Sequence, residues 1–227
     1  MFGTNGSASL NNQNSLRTAS LPGAFAAMGI ALGLTGAVSA WAVRLPGIQE
    51  WFWPLLILQL GLLLAIGTVR SWASEGAENV SMVLLFVYAA VTGLVLAPVA
   101  GLYLASAVGK AIVFKALGAA GATFGAAAIY GWTTKKDLSS MGSILFMALL
   151  GIIISSLLNV FWLHSSLTEM VISGITVLVF TGFTAYDLNI AKSNRYNQTS
   201  GQIALNLYLD FLNLFMAFLR IFGGGRR

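Results

Sequence analysis

A chain of 227 residues that is 57% hydrophobic and only 8% charged is not an ordinary soluble domain, in which roughly 25% of residues are charged. The formal net charge of +5 is scattered over loops and tails, with no basic stripe, which excludes a nucleic-acid-binding surface. The absence of cysteine removes disulfides, thiolate metal sites and thiol nucleophiles.

Residues 1–21 are polar, rich in Ser and Asn, with Arg17 the only charge. The ordered pattern of a cleavable signal peptide is missing, so a disordered tail is expected. Seven apolar blocks follow, at about 23–43, 51–70, 80–102, 107–131, 141–163, 168–190 and 203–222. Each reaches the roughly 20 residues that a helix needs to cross a bilayer. The reading is an all-α membrane protein: a transmembrane bundle of seven helices over 22–223, with a short basic tail at 224–227. Trp41, Trp51, Trp53, Trp72, Trp132 and Trp162 all fall near block edges, where an indole ring favours the headgroup region.

Three shorter features lie along the way. "GAAGATFGAAA" (118–128) puts Gly121 and Gly125 in GxxxG spacing within the fourth span, which predicts close helix packing rather than a phosphate loop. "KKDLSS" (135–140) predicts a positive loop in which Asp137 or Ser139 caps the fifth span. His164, beside Ser165 and Ser166, reads as an exposed loop residue.

Lysine and arginine in short loops bias orientation. Arg70, Lys135, Lys136, Lys192 and Arg195 fall in loops on one side, against Arg44, Lys110 and Lys115 on the other. This favours a cytoplasmic N-terminus. Arg220, Arg226 and Arg227 pull the opposite way.

Of the seven acids, Glu50, Glu75, Glu78, Asp137 and Glu169 fall in loops or at span ends, and only Asp187 and Asp210 lie well inside predicted spans. Such carboxylates are costly in a bilayer and are read as functional by default. Counting crossings, the ends of the second and sixth spans share a face with the start of the seventh. Arg70, Asp187 and Asp210 therefore come to similar depth, with both aspartates roughly 8–11 Å inside that face at 1.5 Å per residue. Asn206, Asp210 and Asn213 form one polar stripe on the seventh span, which Ala217 extends. Gln59 and Arg70, eleven residues apart, share a face of an unbroken helix.

These residues carry a resemblance. "ALGLTGAVSA", "TGLVLAPV", "TTKKDLSSMGSIL", "YDLNIAK" and "LNLYLDFLNLFMAFLRIFG" resemble, in order, the transmembrane Bax inhibitor motif (Bax inhibitor-1-like) family, nearest its bacterial calcium-leak members. The resemblance implies a seven-helix bundle with the seventh helix central. It implies that Asp187 and Asp210 are a pH-sensing dyad and Arg70 its latch. Some members have glutamate where Gln59 stands, so one charge of the implied ion path is absent, and the loop "SWASEGAE" is longer than usual.

The expected function is a pH-sensitive calcium leak, not an enzyme, in a bacterial inner (plasma) membrane. Two neighbouring carboxylates do not both ionise cheaply, so the pair shares a proton. Calcium prefers oxygen ligands, for which Asp187 and Asp210 are the candidates, with Asn206, Asn213 and Gln59 along the candidate ion path. Calcium is the cargo, and no cofactor is expected. Partners are membrane lipid, the calcium ion and other membrane proteins. A non-transporting regulator that binds membrane proteins is the alternative. An intramembrane aspartyl protease fits less well: Tyr186–Asp187 matches half its signature, but "LYLD" lacks the glycines of the other half.

Overall fold

The computed structural model describes residues 21–73, 76–193 and 196–224, the Arg70 side chain excepted. The tail expected at 1–21, save Leu21, and residues 225–227 lie outside the described residues. Backbone polar groups in a bilayer must be satisfied within their own segment, which leaves a helix as the conformation for a single apolar run. Among the described residues, seven helices are long and apolar enough to span. Their α-helical parts are α1 (Leu21–Ala42), α2 (Phe52–Gly67), α3 (Ala77–Leu104), α4 (Ala107–Thr133), α5 (Met141–Leu158), α6 (Ser166–Ser193) and α7 (Ser200–Gly223), with the second span beginning at Ile48 and the fifth reaching Leu163. A 3-10 turn at Ile48–Trp51 leads into α2, and a π-turn at Asn159–Leu163 extends α5. This is the all-α membrane protein that the sequence predicts.

α7 is the centre. It packs against α1, α3, α4 and α6 and touches α2. Its buried side includes Leu205, Leu207, Tyr208, Asp210, Leu214 and Ala217. α2 and α5 sit at the rim: the only buried residue is Ile66 in one and Leu145 in the other. Outward-facing Ile57, Leu64, Ile144 and Phe161 present the apolar surface that lipid requires. All six tryptophans are exposed near helix ends, as expected for an interfacial belt.

Three local expectations change. Gly121 and Gly125 do not make a packing face, because a Cβ on either would meet open space. The buried side of α4 is instead Ala116, Ala120, Phe124, Ala127, Ala128 and Gly131, so small residues do pack there, but the GxxxG pair faces away. The N-cap of α5 is Ser140, with no side-chain cap bond, while Asp137 Oδ1 accepts from Ser139 N at 2.9 Å and closes a local turn. α2 is not continuous to Arg70. It stops at Gly67, and after Thr68 a separate helical turn, Val69–Trp72, carries Arg70. The same-face reckoning for Gln59 and Arg70 does not hold across that break.

Candidate functional site: an aspartate pair between α6 and α7

α6 and α7 are antiparallel neighbours, and each brings one acid to their shared surface. The Asp187 and Asp210 carboxyl groups face each other within hydrogen-bonding reach. Thr184, one turn before Asp187, places its hydroxyl beside Asp210. Asp210 is 3% exposed, and Asp187 is half-buried. Asp210 Oδ2 is buried without a hydrogen-bond partner among the described residues. Buried polar atoms are nearly always paired, and an unpaired carboxylate oxygen marks a place for a proton, a cation or a moving side chain.

The predicted depths need adjustment. α7 begins at Ser200, three residues earlier than expected, so Asp210 lies about 15 Å along it at 1.5 Å per residue. Asp187 is six residues from the end of α6, about 9 Å by the same rise. The carboxyl groups still meet, because the two helices end at different heights.

The surroundings hold α6 firmly. Gly131 of α4 lies against the backbone of Ala185, and any Cβ there would collide with it. Just beyond Asp187, the Asn189 side chain donates to Gly131 O (3.4 Å) and Lys136 O (3.1 Å) and accepts from Leu138 N (3.1 Å). Lys192 Nζ donates to Trp132 O (2.8 Å) and Thr134 O (3.0 Å). The end of α6 is thus stitched to the α4–α5 loop.

The other predicted site residues are less concentrated. Asn206 is half-buried on α7. Asn213 Nδ2 donates to Leu209 O of its own helix at 2.8 Å. Gln59 Nε2 donates to Tyr88 Oη (3.2 Å) and Thr92 Oγ1 (3.0 Å) on α3. That group belongs to a second polar cluster, on the far side of α7. Tyr208 is only two residues from Asp210, hence on the opposite face. Its hydroxyl is 2.8 Å from Thr35 Oγ1 on α1, and its ring meets Tyr88 edge-on at 6.0 Å. The Arg70 side chain lies outside the described residues. His164 is exposed, as predicted.

At the other end of α7, two half-open cavities of about 500 and 320 Å³ share Glu169 and Arg220 in their walls. Among the described residues no three His, Cys, Asp or Glu side chains converge. The acidic ligands at the dyad therefore number two, fewer than the several carboxylates of a tight calcium cage.

Residues 17–227 match the family model described as "Inhibitor of apoptosis-promoting Bax1". The chain belongs to this family. It is 37% identical over 216 residues to the inner membrane protein YbhL of Escherichia coli (strain K12), covering 88% of each chain. An uncharacterized protein of Borreliella burgdorferi is 39% identical over 184 residues, 77% of this chain and 75% of that one. An uncharacterized membrane protein of Streptococcus pyogenes serotype M3 is 37% identical over 163 residues, 68% of each. The Bax inhibitor-1-like family resemblance seen in the sequence motifs is thereby established, as is a multi-pass membrane protein.

Sequence reasoning missed five side chains that shape this member of the family. Thr199 and Gln202 form a capping box at the start of α7, and the Thr-x-x-Gln pattern before an apolar run was the available signal. Asn189 and Lys192 looked like ordinary helix-end polar residues, because their partners are backbone carbonyls more than 50 positions away. Tyr208 sits in an apolar run with nothing to distinguish it from a packed aromatic.

Proposed function

We propose that this protein is a pH-gated passive calcium leak in a bacterial inner membrane, with its N-terminus cytoplasmic. The observation that carries the proposal is the facing Asp187 and Asp210 carboxyl groups inside the membrane, with Asp210 Oδ2 left unpaired among the described residues. Bilayer-buried carboxylates that serve only packing would be expected to have every oxygen bonded.

With both aspartates ionised, mutual repulsion is offset by a nearby cation, the role we assign to Arg70. That pairing holds the Val69–Trp72 turn, which follows α2, against α6 and α7. As pH falls, a proton bridges the carboxyl groups and halves the charge that attracts Arg70. The latch relaxes, and the leak rises. Calcium passing the pair meets carboxylate oxygens and the amide oxygens of Asn206 and Asn213, a weak oxygen path suited to passage rather than storage. The Glu169–Arg220 cavities lie at the opposite end of α7 and provide the other mouth. The inner-membrane placement rests on the Escherichia coli relative and the orientation on loop charge.

The test is calcium flux into proteoliposomes of the purified protein across pH 6 to 8, wild type beside Asp210→Asn. A wild-type leak that rises on acidification, with the variant flat, is the expected result. Absence of wild-type flux at any pH would move the protein to the non-transporting, partner-binding reading.

A further inference from the structure

Two helix ends that flank the proposed gate are closed by one side chain. The last four carbonyls of any helix have no partner in their own ladder, and at bilayer depth each needs another donor. At the end of α2 all four are accounted for. Leu64 O accepts from Thr68 N (3.0 Å) and Thr68 Oγ1 (2.8 Å). Ala65 O accepts from Trp72 Nε1 at 3.3 Å. Ile66 O and Gly67 O both accept from Gln202 Nε2 of α7, each at 3.1 Å.

The same amide is committed at its other end. Gln202 Oε1 accepts from Thr199 N at 2.9 Å, and Gln202 N donates to Thr199 Oγ1 at 3.1 Å. Every donor and acceptor of the Gln202 amide is therefore engaged. The oxygen caps the start of α7, and the nitrogen caps the end of α2. Nearby, both Glu78 carboxylate oxygens accept from Ser200 N at 3.1 Å, and Gly201 packs against Ser81 with no room for a Cβ. The start of α7 is fixed to α3 by these contacts, so the bond to α2 is the part of the junction that holds a rim helix to a rigid centre.

Beyond the capped carbonyls the backbone breaks at Thr68, and Ser71 N bonds to Thr68 O at 2.9 Å to begin a new turn. That turn, Val69–Trp72, carries Arg70. We propose that Gln202 is a positioning residue that pins the Thr68 hinge and so sets whether the Arg70 turn lies against the aspartate pair. This rests on the leak reading of the site and adds the element that controls it. Among the described side chains, the charged groups around the junction are Glu78 of α3 and, deeper between α6 and α7, Asp187 and Asp210. Lys192 of α6 is committed to Trp132 O and Thr134 O. α1 and α5 carry no charged residue, and the lysines of α4, Lys110 and Lys115, lie toward its other end. The Tyr88 and Tyr208 hydroxyls belong to the cluster on the far side of α7.

Gln202→Glu separates the two bonds. A carboxylate keeps the capping oxygen, as glutamate does in many capping boxes, but has no hydrogen to give Ile66 O and Gly67 O. Gln202→Leu removes both functions. Two readouts are needed, one of them independent of any ion. Spin labels at Ser71→Cys and Ser193→Cys, both exposed in a chain without native cysteine, report the position of the hinge turn against α6 in proteoliposomes at pH 8. Calcium flux is measured in the same preparations.

The expected result is that Gln202→Glu broadens the label distance at pH 8 and raises flux there several-fold, toward the wild-type level at pH 6, while the protein remains folded. Gln202→Leu does the same with lower thermal stability. If Gln202→Glu leaves both the distance distribution and the pH profile unchanged, the amide is only a helix cap and the proposal is overturned. A broadened distance in a protein that leaks calcium in no form supports the hinge pin and counts against the leak reading instead.

Discussion

α7 presents two buried polar surfaces within a single turn, and they are built on opposite rules. On one side, the Tyr208 hydroxyl meets Thr35, and Thr35 Oγ1 also reaches Ala89 O at 2.9 Å. Gln59, Tyr88 and Thr92 continue the cluster, which ties α1, α2, α3 and α7 together through neutral groups. On the other side, two acids face each other across α6 and α7, and one oxygen is unpaired among the described residues. The first arrangement is glue: neutral and bonded, with nothing to respond to. The second holds a net charge that depends on pH and a vacancy in its bonding. Within one helix, then, polarity and burial alone do not tell the two surfaces apart, whereas the incomplete satisfaction of an ionisable pair does.

The strongest way to break this contrast is to neutralise the acidic side. Asp187→Asn and Asp210→Asn should each flatten the pH dependence of calcium flux over pH 6 to 8, with flux at pH 8 rising several-fold toward the acid level. Because the carboxyl groups act as one unit, the double variant should add little to either single change, as coupled neighbours do. Full additivity, or a wild-type pH profile in both single variants, would mean that the gate lies elsewhere.

A smaller effect is expected at the proposed countercharge. Arg70→Ala should raise flux at neutral and alkaline pH, where the aspartates are to be held in check, and leave flux at pH 6 near wild type. Arg70→Lys should restore part of the control, since it returns a point charge without the planar fork. If Arg70→Ala instead keeps the wild-type profile, Arg70 is an interfacial residue whose charge reaches water along its apolar stem, and the acidic side of α7 works without it.

Much of this architecture was legible in the sequence because a bilayer enforces simple rules. Seven apolar runs became seven helices, and the ends were misplaced by only a few residues. The Asp187–Asp210 meeting was legible too, since crossing parity fixes which helix ends share a face. What the sequence hid were bonds from side chains to distant backbone. The break at Thr68 has no proline to announce it, and it is sustained by Gln202, 135 residues downstream of Gly67. Gly121 and Gly125 matched a packing motif, yet the alanines and Gly131 on another face of α4 make the contacts. A small residue permits close approach, but the partner helix decides where it happens. Gln59 and Arg70 share a face only in an unbroken helix, and the break after Gly67 removes that relation.

The neutral side of α7 gives the smallest effect and the sharpest control. Tyr208→Phe removes one hydroxyl from a fully buried ring and leaves the edge-on contact with Tyr88 in place. Thr35 retains its bonds to Ala31 O (3.0 Å) and Ala89 O (2.9 Å), so no polar atom is stranded by the change. The loss should be near the average for an interhelical hydrogen bond in a membrane protein, about 0.6 kcal/mol, read as a drop of a few degrees or less in thermal stability in detergent. Thr35→Val paired with Tyr208→Phe in a double-mutant cycle should return a coupling of similar size. Calcium flux in Tyr208→Phe should keep its pH profile, because the hydroxyl points away from the aspartates and carries no charge in this range. A shifted profile would show that rotation or tilt of α7, set by its neutral side, reaches the acidic side, and the two surfaces would then be one device rather than two.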